Sequence, residues 1–259
     1  MIGKFIARFF GQAPKKAEIS GDLWQKTLEL PFLAALCDEE KERLHALLIQ
    51  FLSEKEFTAA GGLELDDEIC LSIAAQGCLP ILNLGLEWYR GWVGIIVYPD
   101  EFVIPRTVED EDGIVHEYTE VASGEAWDGG PLLISWQDAQ MAGSGYNVVI
   151  HEFAHKIDML SGAANGMPPL HGNMSRALWR SVFEAAYQDF CRRVDDEEEV
   201  DIDPYASEHP SEFFAVISES FFEDPELVAR EYPALYEQLA AFYRQDPLAR
   251  FQKSEAAHA

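Results

Sequence analysis

The sequence predicts an α+β protein in which helices dominate and a small mixed sheet lies in the middle of the chain. In the first third and in the second half, apolar residues recur three and four positions apart, as in amphipathic helices. Between these parts, short β-branched and aromatic segments are separated by Pro, Gly and acidic turns, a pattern typical of strands.

Size and charge limit what the chain can be. With 259 residues, 48% of them apolar, it has enough core-forming side chains for one domain spanning residues 1–259. We expect a helical N-terminal part (residues 1–85) and a core that contains the sheet (residues 86–259). The 46 acidic and 19 basic side chains give a formal net charge of −27, so the phosphates of a nucleic acid are poor ligands.

The sequence also predicts a cytoplasmic protein without a membrane anchor. No stretch reaches the roughly 18–20 apolar residues that span a bilayer. The apolar runs in Met1–Phe10 are too short for a secretory signal, and we expect this segment to dock on the core as a strand or helix rather than on a membrane surface. The four cysteines form no CxxC pair and are expected to be mostly buried thiols in a reducing cytosol: Cys37, Cys70, Cys78 and Cys191.

Helical spacing dominates the N-terminal part. Apolar residues over Leu23–Leu52 predict a pair of helices, broken near Pro31 and Cys37. The acidic run Asp66–Glu68 then favours the start of another helix, since acids stabilise helix N-termini, and Gly77 and Pro80 are expected to end or bend it.

The pattern changes twice in the rest of the chain. Strands are predicted over Trp92–Tyr98, Phe102–Ile104, Val115–Thr119 and Leu132–Trp136. Helices are predicted over Val148–Leu160, Ser175–Val194, Ser211–Phe222 and Ala234–Tyr243. The acidic run Asp195–Asp203 is expected to be a solvated loop rather than a cation site, because it lacks spaced ligands.

The helix over Val148–Leu160 carries a metal-binding motif of the form HExxH. Residues four apart share a helical face, so the imidazoles of His151 and His155 can bind one Zn²⁺ ion. Glu152 lies about 100° around the helix, beside the open coordination position, where it can act as general base. The motif is typical of zinc hydrolases.

The motif could also be the polar edge of an ordinary amphipathic helix. Its neighbours are apolar on several sides, however, so the helix is expected to be buried. Buried imidazoles and a buried carboxylate are costly unless something pairs with them, and a metal removes that cost. We therefore predict one zinc ion per chain and a zincin-like metallopeptidase fold built around this helix.

A third ligand must come from elsewhere in the chain. A histidine six residues after His155 is excluded, because that position is Ser161. A glutamate from the next helix, about twenty residues on, is excluded as well, since the first glutamate after Glu152 is Glu184.

A more distant helix, Ser211–Glu219, remains as the source of the third ligand. Glu212 and Glu219 lie seven residues apart on one face of it, among phenylalanines. One of them can bind the metal while the other, or Asp158, accepts the free N–H of a ligating histidine. Spacing alone leaves this choice open.

Two of these segments resemble a known family. His151–Asp158 and Glu212–Glu219, with Tyr205 upstream, closely resemble the Mlc titration factor A family of bacterial zinc peptidases. More distantly they resemble the catalytic domain of anthrax lethal factor. The resemblance to the titration factors extends to Trp92–Tyr98 and Phe242–Pro247 and so covers most of the chain.

The resemblance implies a role for each residue of the site. His151, His155 and Glu212 would be the zinc ligands. Glu152 would be the general base, and Tyr205 would stabilise the oxyanion, because a phenol can donate a hydrogen bond to the negative oxygen formed when water adds to a peptide carbonyl. All five belong to the catalytic core expected over residues 86–259.

One position departs from the lethal-factor pattern. Val216 stands where that pattern has a second carboxylate, four residues after the ligand. Glu219 or Asp158 must therefore supply any support for the ligating histidines, and the resemblance does not decide between them.

Other segments near the motif receive more general interpretations. Gly130–Trp136 resembles the edge strand that zinc peptidases align with an extended substrate, with an interior strand as the alternative. Ala142–Gly145 lacks the lysine and the spacing of a phosphate-binding loop. Four further histidines are expected at the surface or in packing, with His171 as a fallback ligand: His45, His116, His171 and His209.

Three functions remain open. The first is a zinc-dependent peptidase, aminopeptidase-like as the resemblance implies. Its excess of acidic residues would attract the α-ammonium group of a peptide substrate. The second is a regulatory protein that sequesters the glucose-responsive transcriptional repressor Mlc, as the resemblance also implies, alone or besides proteolysis. The third is a degenerate domain in which a closed four-ligand zinc site is only structural.

Overall fold

A computed structural model describes residues 18–109 and 115–258 of the chain. The predicted docking of Met1–Phe10 lies outside these residues. Within them, helices predominate and two small sheets lie in the middle of the sequence, in agreement with the expected α+β class.

Helices account for most of the described residues. In chain order they are α1 (Gly21–Thr27), α2 (Pro31–Ala34), α3 (Asp38–Glu54), α4 (Asp67–Cys78), α5 (Trp136–Ala139), α6 (Val148–Asp158), α7 (Arg176–Asp195), α8 (Pro210–Glu223), α9 (Pro225–Glu231), α10 (Pro233–Tyr243) and α11 (Pro247–His258). Short 3₁₀ helices span Leu86–Tyr89, Met159–Ser161 and Pro204–Ser207. None of the helices in the described part of the chain is both long and apolar enough to cross a bilayer.

The strands form a four-stranded sheet and a separate hairpin. They are β1 (Glu56–Ala59), β2 (Gly94–Tyr98), β3 (Phe102–Glu109), β4 (Val115–Ala122), β5 (Gly124–Ala126) and β6 (Leu132–Ser135). The order in the main sheet is β1-β2-β6-β5. The β1–β2 and β2–β6 pairs are parallel, and β5 is antiparallel to β6, so the main sheet is mixed, as predicted. The expectation of a single sheet was wrong, because the predicted strands that begin at Phe102 and Val115 pair with each other in the hairpin.

The prediction for residues 1–85 was wrong in one respect and incomplete in another. The predicted breaks at Pro31 and Cys37 separate three helices, α1 to α3, rather than two. The same part of the chain also contains a strand, β1, which pairs with β2 and thereby joins the N-terminal helices to the main sheet.

Helix α4 begins where its acidic run predicts. The carboxylate of Asp66 accepts a hydrogen bond from the N–H of Ile69 at 2.8 Å and so caps the helix. The helix continues through Gly77 and ends at Cys78, shortly before Pro80, the other residue expected to end or bend it. A Cβ atom at Gly77 would lie 2.5 Å from the ring of Phe153, so the missing side chain lets α6 pack closely against α4.

The segment Gly130–Trp136 contains an interior strand, and the edge-strand interpretation of it was wrong. Its strand β6 pairs with β2 on one side and with β5 on the other. The edge of the main sheet is therefore β5, and Trp136 already belongs to α5. Strands β3 and β4 pair only with each other in the described sheets, and Phe102 and Ile104 pack against Leu133.

Helix α6 lies in the centre of the fold. All eleven of its residues are buried, which confirms the prediction from its apolar surroundings. It packs against α8, α4 and β5. The predicted helices at α7, α8 and α10 are present, with α9 and α11 in addition, and the acidic run that follows α7 is a largely exposed loop, as expected. All four cysteines are free thiols, as expected, but only Cys70 and Cys78 of them are buried.

Candidate metal centre

Three side chains from two helices converge on one point. The Nε2 atoms of His151 and His155 on α6 lie 3.1 Å apart. The Oε2 atom of Glu212, in the first turn of α8, lies 3.1 Å from the former and 3.2 Å from the latter. Among the described residues, these three form a group of donors able to hold a metal ion.

The spacing and the chemistry of these donors fit zinc. Ligand atoms on one tetrahedral zinc ion at about 2.0–2.1 Å lie about 3.3 Å from one another. Two imidazole nitrogens and one carboxylate oxygen are also a common ligand set for catalytic zinc, which keeps one position open. The residues present therefore fit the group that the sequence motif predicts.

Charge at the centre supports the same interpretation. Burial alone would raise the pKa of Glu212, but the two imidazoles hold it well below its usual range. Burial likewise opposes a charge on His151, yet hydrogen bonds with Glu212 and Glu219 raise its pKa. Glu212 and Glu219 thus favour a positive charge at the point where the three donor atoms meet.

Glu219 is the carboxylate that supports a candidate ligand. Its Oε1 atom lies 2.6 Å from Nδ1 of His151. An ionised carboxylate can only accept, so Nδ1–H of His151 donates, and Nε2, which faces Glu212 and His155, is the nitrogen that can bind a metal. The other oxygen of Glu219 accepts the backbone N–H of Asn147 at 2.8 Å.

Asp158, the alternative for this role, has a different one. Its Oδ2 atom accepts the backbone N–H groups of Asn165 and Gly166, both at 2.7 Å, and so holds the loop after α6. Nδ1 of His155 and the second carboxylate oxygen of Asp158 are buried and have no hydrogen-bond partner in the described structure. Of the two acids, Glu219 is therefore the one whose carboxylate contacts His151.

Asn147 fixes the start of the helix that carries both histidines. Its Oδ1 atom accepts the N–H of Ile150 at 2.8 Å, which caps α6. Its Nδ2 atom donates to Glu223 of α8, whose carboxylate also accepts the N–H of Gly143 at 2.7 Å. The N-terminus of α6 is therefore tied to α8, the helix that supplies Glu212.

Glu152 faces the edge strand of the main sheet. Its side chain is 5% exposed, and its Oε2 atom has no hydrogen-bond partner among the described residues. A Cβ atom at Gly124, the first residue of β5, would lie 2.5 Å from Oε1 of Glu152. Burial raises the pKa of Glu152, as suits a group that accepts a proton and gives it back.

Tyr205 lies beside the candidate metal centre, next to His151. It belongs to the 3₁₀ helix Pro204–Ser207, where Asp203 accepts its backbone N–H at 2.9 Å. Its ring centroid is 6.2 Å from that of His151, and 45% of the residue is exposed. Burial of the hydroxyl and nearby carboxylates raise the pKa of Tyr205, so at neutral pH the phenol keeps its proton and can donate it in a hydrogen bond.

All five predicted site residues border one cavity of about 530 Å³. Residues 120–126, including all of β5, form one wall, and α6, α8 and the 3₁₀ helix with Tyr205 form the others. The prediction of His171 as a fallback ligand was wrong. Its Nε2 atom hydrogen-bonds to the carbonyl of Phe242 at 2.8 Å, and His171 does not belong to the donor group.

Sequence reasoning missed two parts of this cavity. Strand β5 has three residues, too few to show a period, so no sequence signal marked Gly124. Tyr146 also borders the cavity, and burial raises its pKa to about 12. It is an isolated aromatic residue between two glycines and the helix cap, a position that carries no pattern of its own.

Known proteins resemble this chain over most of its length. A family model for the glucose-regulated metallo-peptidase M90 matches residues 10–244. Mlc titration factor A of Cronobacter sakazakii is 40% identical over 236 residues, which cover 90% of this chain and 89% of that protein.

Two further relatives carry the same name. Mlc titration factor A of Salmonella arizonae is 42% identical over 237 residues, 89% of this chain and 93% of the relative. That of Salmonella typhi is 42% identical over 240 residues, 90% of this chain and 89% of the relative. The buried HExxH helix, the His-His-Glu donor group and these matches lead to one conclusion: the chain belongs to the glucose-regulated metallo-peptidase M90 family.

Proposed function

We propose that this protein is a zinc-dependent peptidase of the aminopeptidase type, with His151, His155 and Glu212 as ligands of one Zn²⁺ ion and Glu152 as general base. The observation that carries the proposal is the triangle of donor atoms, 3.1–3.2 Å on each side, beside a buried carboxylate in the same cavity. A zinc ion held there would supply Lewis acidity, which polarises a peptide carbonyl and makes water more acidic.

The side chains around the triangle of donor atoms carry out the remaining steps of the reaction. Oε2 of Glu152 takes a proton from the attacking water and passes it to the amide nitrogen as the C–N bond breaks. The hydroxyl of Tyr205 donates a hydrogen bond to the carbonyl oxygen, which becomes negative as water adds to the carbon. Glu219 keeps the imidazole of His151 in the tautomer that leaves its Nε2 atom free to bind.

Strand β5 supports the choice of a peptide as substrate. It is the edge strand of the main sheet, pairs with β6 on one side and borders the cavity. An extended peptide that adds to this edge would be held through its backbone, with little demand on its side chains. Gly124 would bring the substrate backbone close to Glu152.

The charge of the cavity supports cleavage at a free N-terminus. Besides the residues of the triangle, the acidic Glu120, Glu125 and Asp203 line it, and no lysine or arginine is among its described lining residues. Such a field attracts the α-ammonium group of a peptide. A blocked, N-acetylated peptide tests this specificity and should be cleaved much more slowly than the same peptide with a free amine.

A peptidase assay with metal control tests the proposal. The purified protein is incubated with an amino-acid p-nitroanilide, with a chelator, and with chelator followed by Zn²⁺. We expect hydrolysis that the chelator abolishes and zinc restores, and the loss of both metal and activity in Glu212→Gln. Chelator-resistant hydrolysis, or a Glu212→Gln variant with full metal content and activity, would refute the proposed ligand set.

A second candidate function is regulatory binding. The three relatives are named Mlc titration factor A, which suggests that this chain too binds a transcriptional repressor of the Mlc type and would do so in the cytoplasm. A pull-down with purified repressor, using wild type and Glu152→Gln, separates binding from catalysis. Repressor binding that survives in the inactive variant would support regulatory capture. A zinc ion with a fourth protein ligand and no hydrolysis would instead support the structural domain.

A further inference from the structure

Lys156 is a buried lysine that none of the proposed chemical steps uses. It lies on α6, one helical turn after Glu152, and is 3% exposed. Its Nζ atom donates to three backbone carbonyls, those of Trp127 at 2.5 Å, Gly130 at 2.9 Å and Pro131 at 3.3 Å. An ammonium group has three N–H bonds, so these carbonyls use its full donor capacity.

All three carbonyls belong to the turn that joins β5 to β6. The turn is closed by two hydrogen bonds of its own, from the N–H of Trp127 to Pro131 and from the N–H of Gly130 to Trp127. Lys156 therefore binds both ends of this turn at once. Strand β5 ends at Ala126, the residue before Trp127. The three hydrogen bonds from Lys156, called the clamp below, therefore fix the end of the edge strand.

Helix α6 thus contacts β5 at both of its ends. At the start of the strand, Gly124 leaves room for the carboxylate of Glu152; at its end, Lys156 holds the carbonyl of Trp127. The two contacts come from successive turns of one face of the helix. The strand and the general base are consequently held as one unit.

We propose that Lys156 is a positioning residue, which sets the distance between the substrate-aligning strand β5 and the carboxylate of Glu152. The inference rests on the proposed peptidase function and extends it. Without the clamp, β5 keeps its pairing with β6 but is free to shift relative to α6, so a peptide aligned on β5 reaches Glu152 in the wrong register. The effect should grow with the length of substrate that lies on the strand.

The chain offers a matched control in a second buried lysine. Lys55 is 7% exposed and also donates to backbone carbonyls, those of Tyr89 and Trp92, and lies 3.7 Å from the centroid of the Trp92 indole ring. Lys156 lies 5.1 Å from the same ring. The two lysines thus share burial, acceptor type and an aromatic neighbour, but only the contacts of Lys156 involve the β5–β6 turn.

The test compares Lys156→Met and Lys55→Met on a short and a long substrate, an amino-acid p-nitroanilide and an octapeptide with a free α-amine, a fluorophore on its first side chain and a quencher near its C-terminus. We expect Lys156→Met to raise KM for the octapeptide about tenfold, the loss of roughly one or two backbone hydrogen bonds, and to leave KM for the p-nitroanilide within about twofold. Lys55→Met should change the two KM values equally. Equal changes for both substrates in Lys156→Met would overturn the inference.

Hydrogen exchange tests the clamp without any need for activity. Amides in residues 123–130 should exchange faster in Lys156→Met than in wild type or Lys55→Met, and unchanged exchange there would overturn the inference. If wild type cleaves neither substrate, the peptidase proposal fails, while the exchange result still decides on the clamp. Should Lys156→Met not fold, Lys156→Gln, which keeps a weaker neutral donor, replaces it in both measurements.

Discussion

Glu219 links the candidate metal centre to the start of the helix that carries it. One of its oxygens lies 2.6 Å from Nδ1 of His151, and the other accepts the backbone N–H of Asn147 at 2.8 Å. The same carboxylate thus orients an imidazole and fixes the residue that caps α6. Because both contacts are buried, neither is exchanged for water at low cost.

Glu219→Gln should therefore weaken metal binding rather than abolish folding. The amide keeps the shape of the carboxylate but loses its charge, so it orients His151 less firmly. We expect the zinc dissociation constant to rise about 10–100-fold, the usual effect of losing such a partner. Competition with a fluorescent chelator measures it, and the exposed Glu237→Gln on α10 is the control. An unchanged dissociation constant in Glu219→Gln would contradict this role.

Gly124→Ala should reduce catalysis without removing the metal. The added methyl group would lie 2.5 Å from Oε1 of Glu152, so the carboxylate or the strand must move. We expect kcat to fall about 10–100-fold, since small displacements of a general base are costly. In the same sheet, a Cβ at Gly94 would meet its nearest neighbour at 3.4 Å, an ordinary contact, so Gly94→Ala serves as the control. Equal kcat values for the two variants would argue against close packing of Glu152 on β5.

Tyr205→Phe tests the proposed hydrogen bond to the developing oxyanion. The variant removes one hydroxyl from a residue that is 45% exposed, so stability should change little. We expect kcat to fall about 100-fold, as is typical when one oxyanion donor is lost, with KM and zinc content nearly unchanged. Steady-state kinetics and metal analysis check this. A rise in KM alone would indicate that Tyr205 only contacts substrate.

The ion pair between Glu40 and Arg250 predicts a pH-dependent contribution to stability. Arg250 of α11 donates to both carboxylate oxygens of Glu40 on α3, at 2.7 and 3.2 Å. Burial alone would raise the pKa of Glu40, but Arg250 and the N–H of Cys37 hold it below its ordinary value of 4.5. Since the folded pKa lies below the unfolded one, the stabilisation is present above pH 4.5 and is lost as the pH falls through the folded value.

Glu40→Gln should accordingly lower the free energy of unfolding by about 1–2 kcal/mol at neutral pH. The difference from wild type should shrink as the pH falls below the ordinary value of 4.5, because the wild-type carboxylate then also becomes protonated. Urea denaturation at several pH values measures it, with the exposed Glu42→Gln on the same helix as control. A difference that stays constant down to pH 3 would contradict the proposed cause.

The sequence predicted which residues meet at the candidate site better than it predicted their surroundings. His151, His155 and Glu212 lie on long helices with a clear apolar period, so their faces could be inferred from spacing alone, and the resemblance then selected Glu212. The structure brings these residues together as expected. The role of Glu219 could not be derived, because it depends on how α6 packs against α8, and Asp158 also carries a carboxylate and is even more buried.

The edges of the sheet could not be predicted for a different physical reason. Whether a strand lies at an edge depends on partners distant in the sequence, and Gly130–Trp136 has the apolar character of either position. Strands β1 and β5 have four and three residues, too few to show an alternating pattern. The clamp formed by Lys156 is invisible for the same reason, since its acceptors are backbone carbonyls, which every sequence has.

The most direct test of the central claim is the zinc content and the peptidase activity of Glu152→Gln, measured on the same preparation. The substitution keeps the size of the side chain and leaves all three proposed ligands in place. We predict about one zinc ion per chain, as in wild type, and a loss of kcat of about 100-fold or more, the contribution of a general base. A variant that binds zinc and still cleaves peptides at the wild-type rate would contradict the claim.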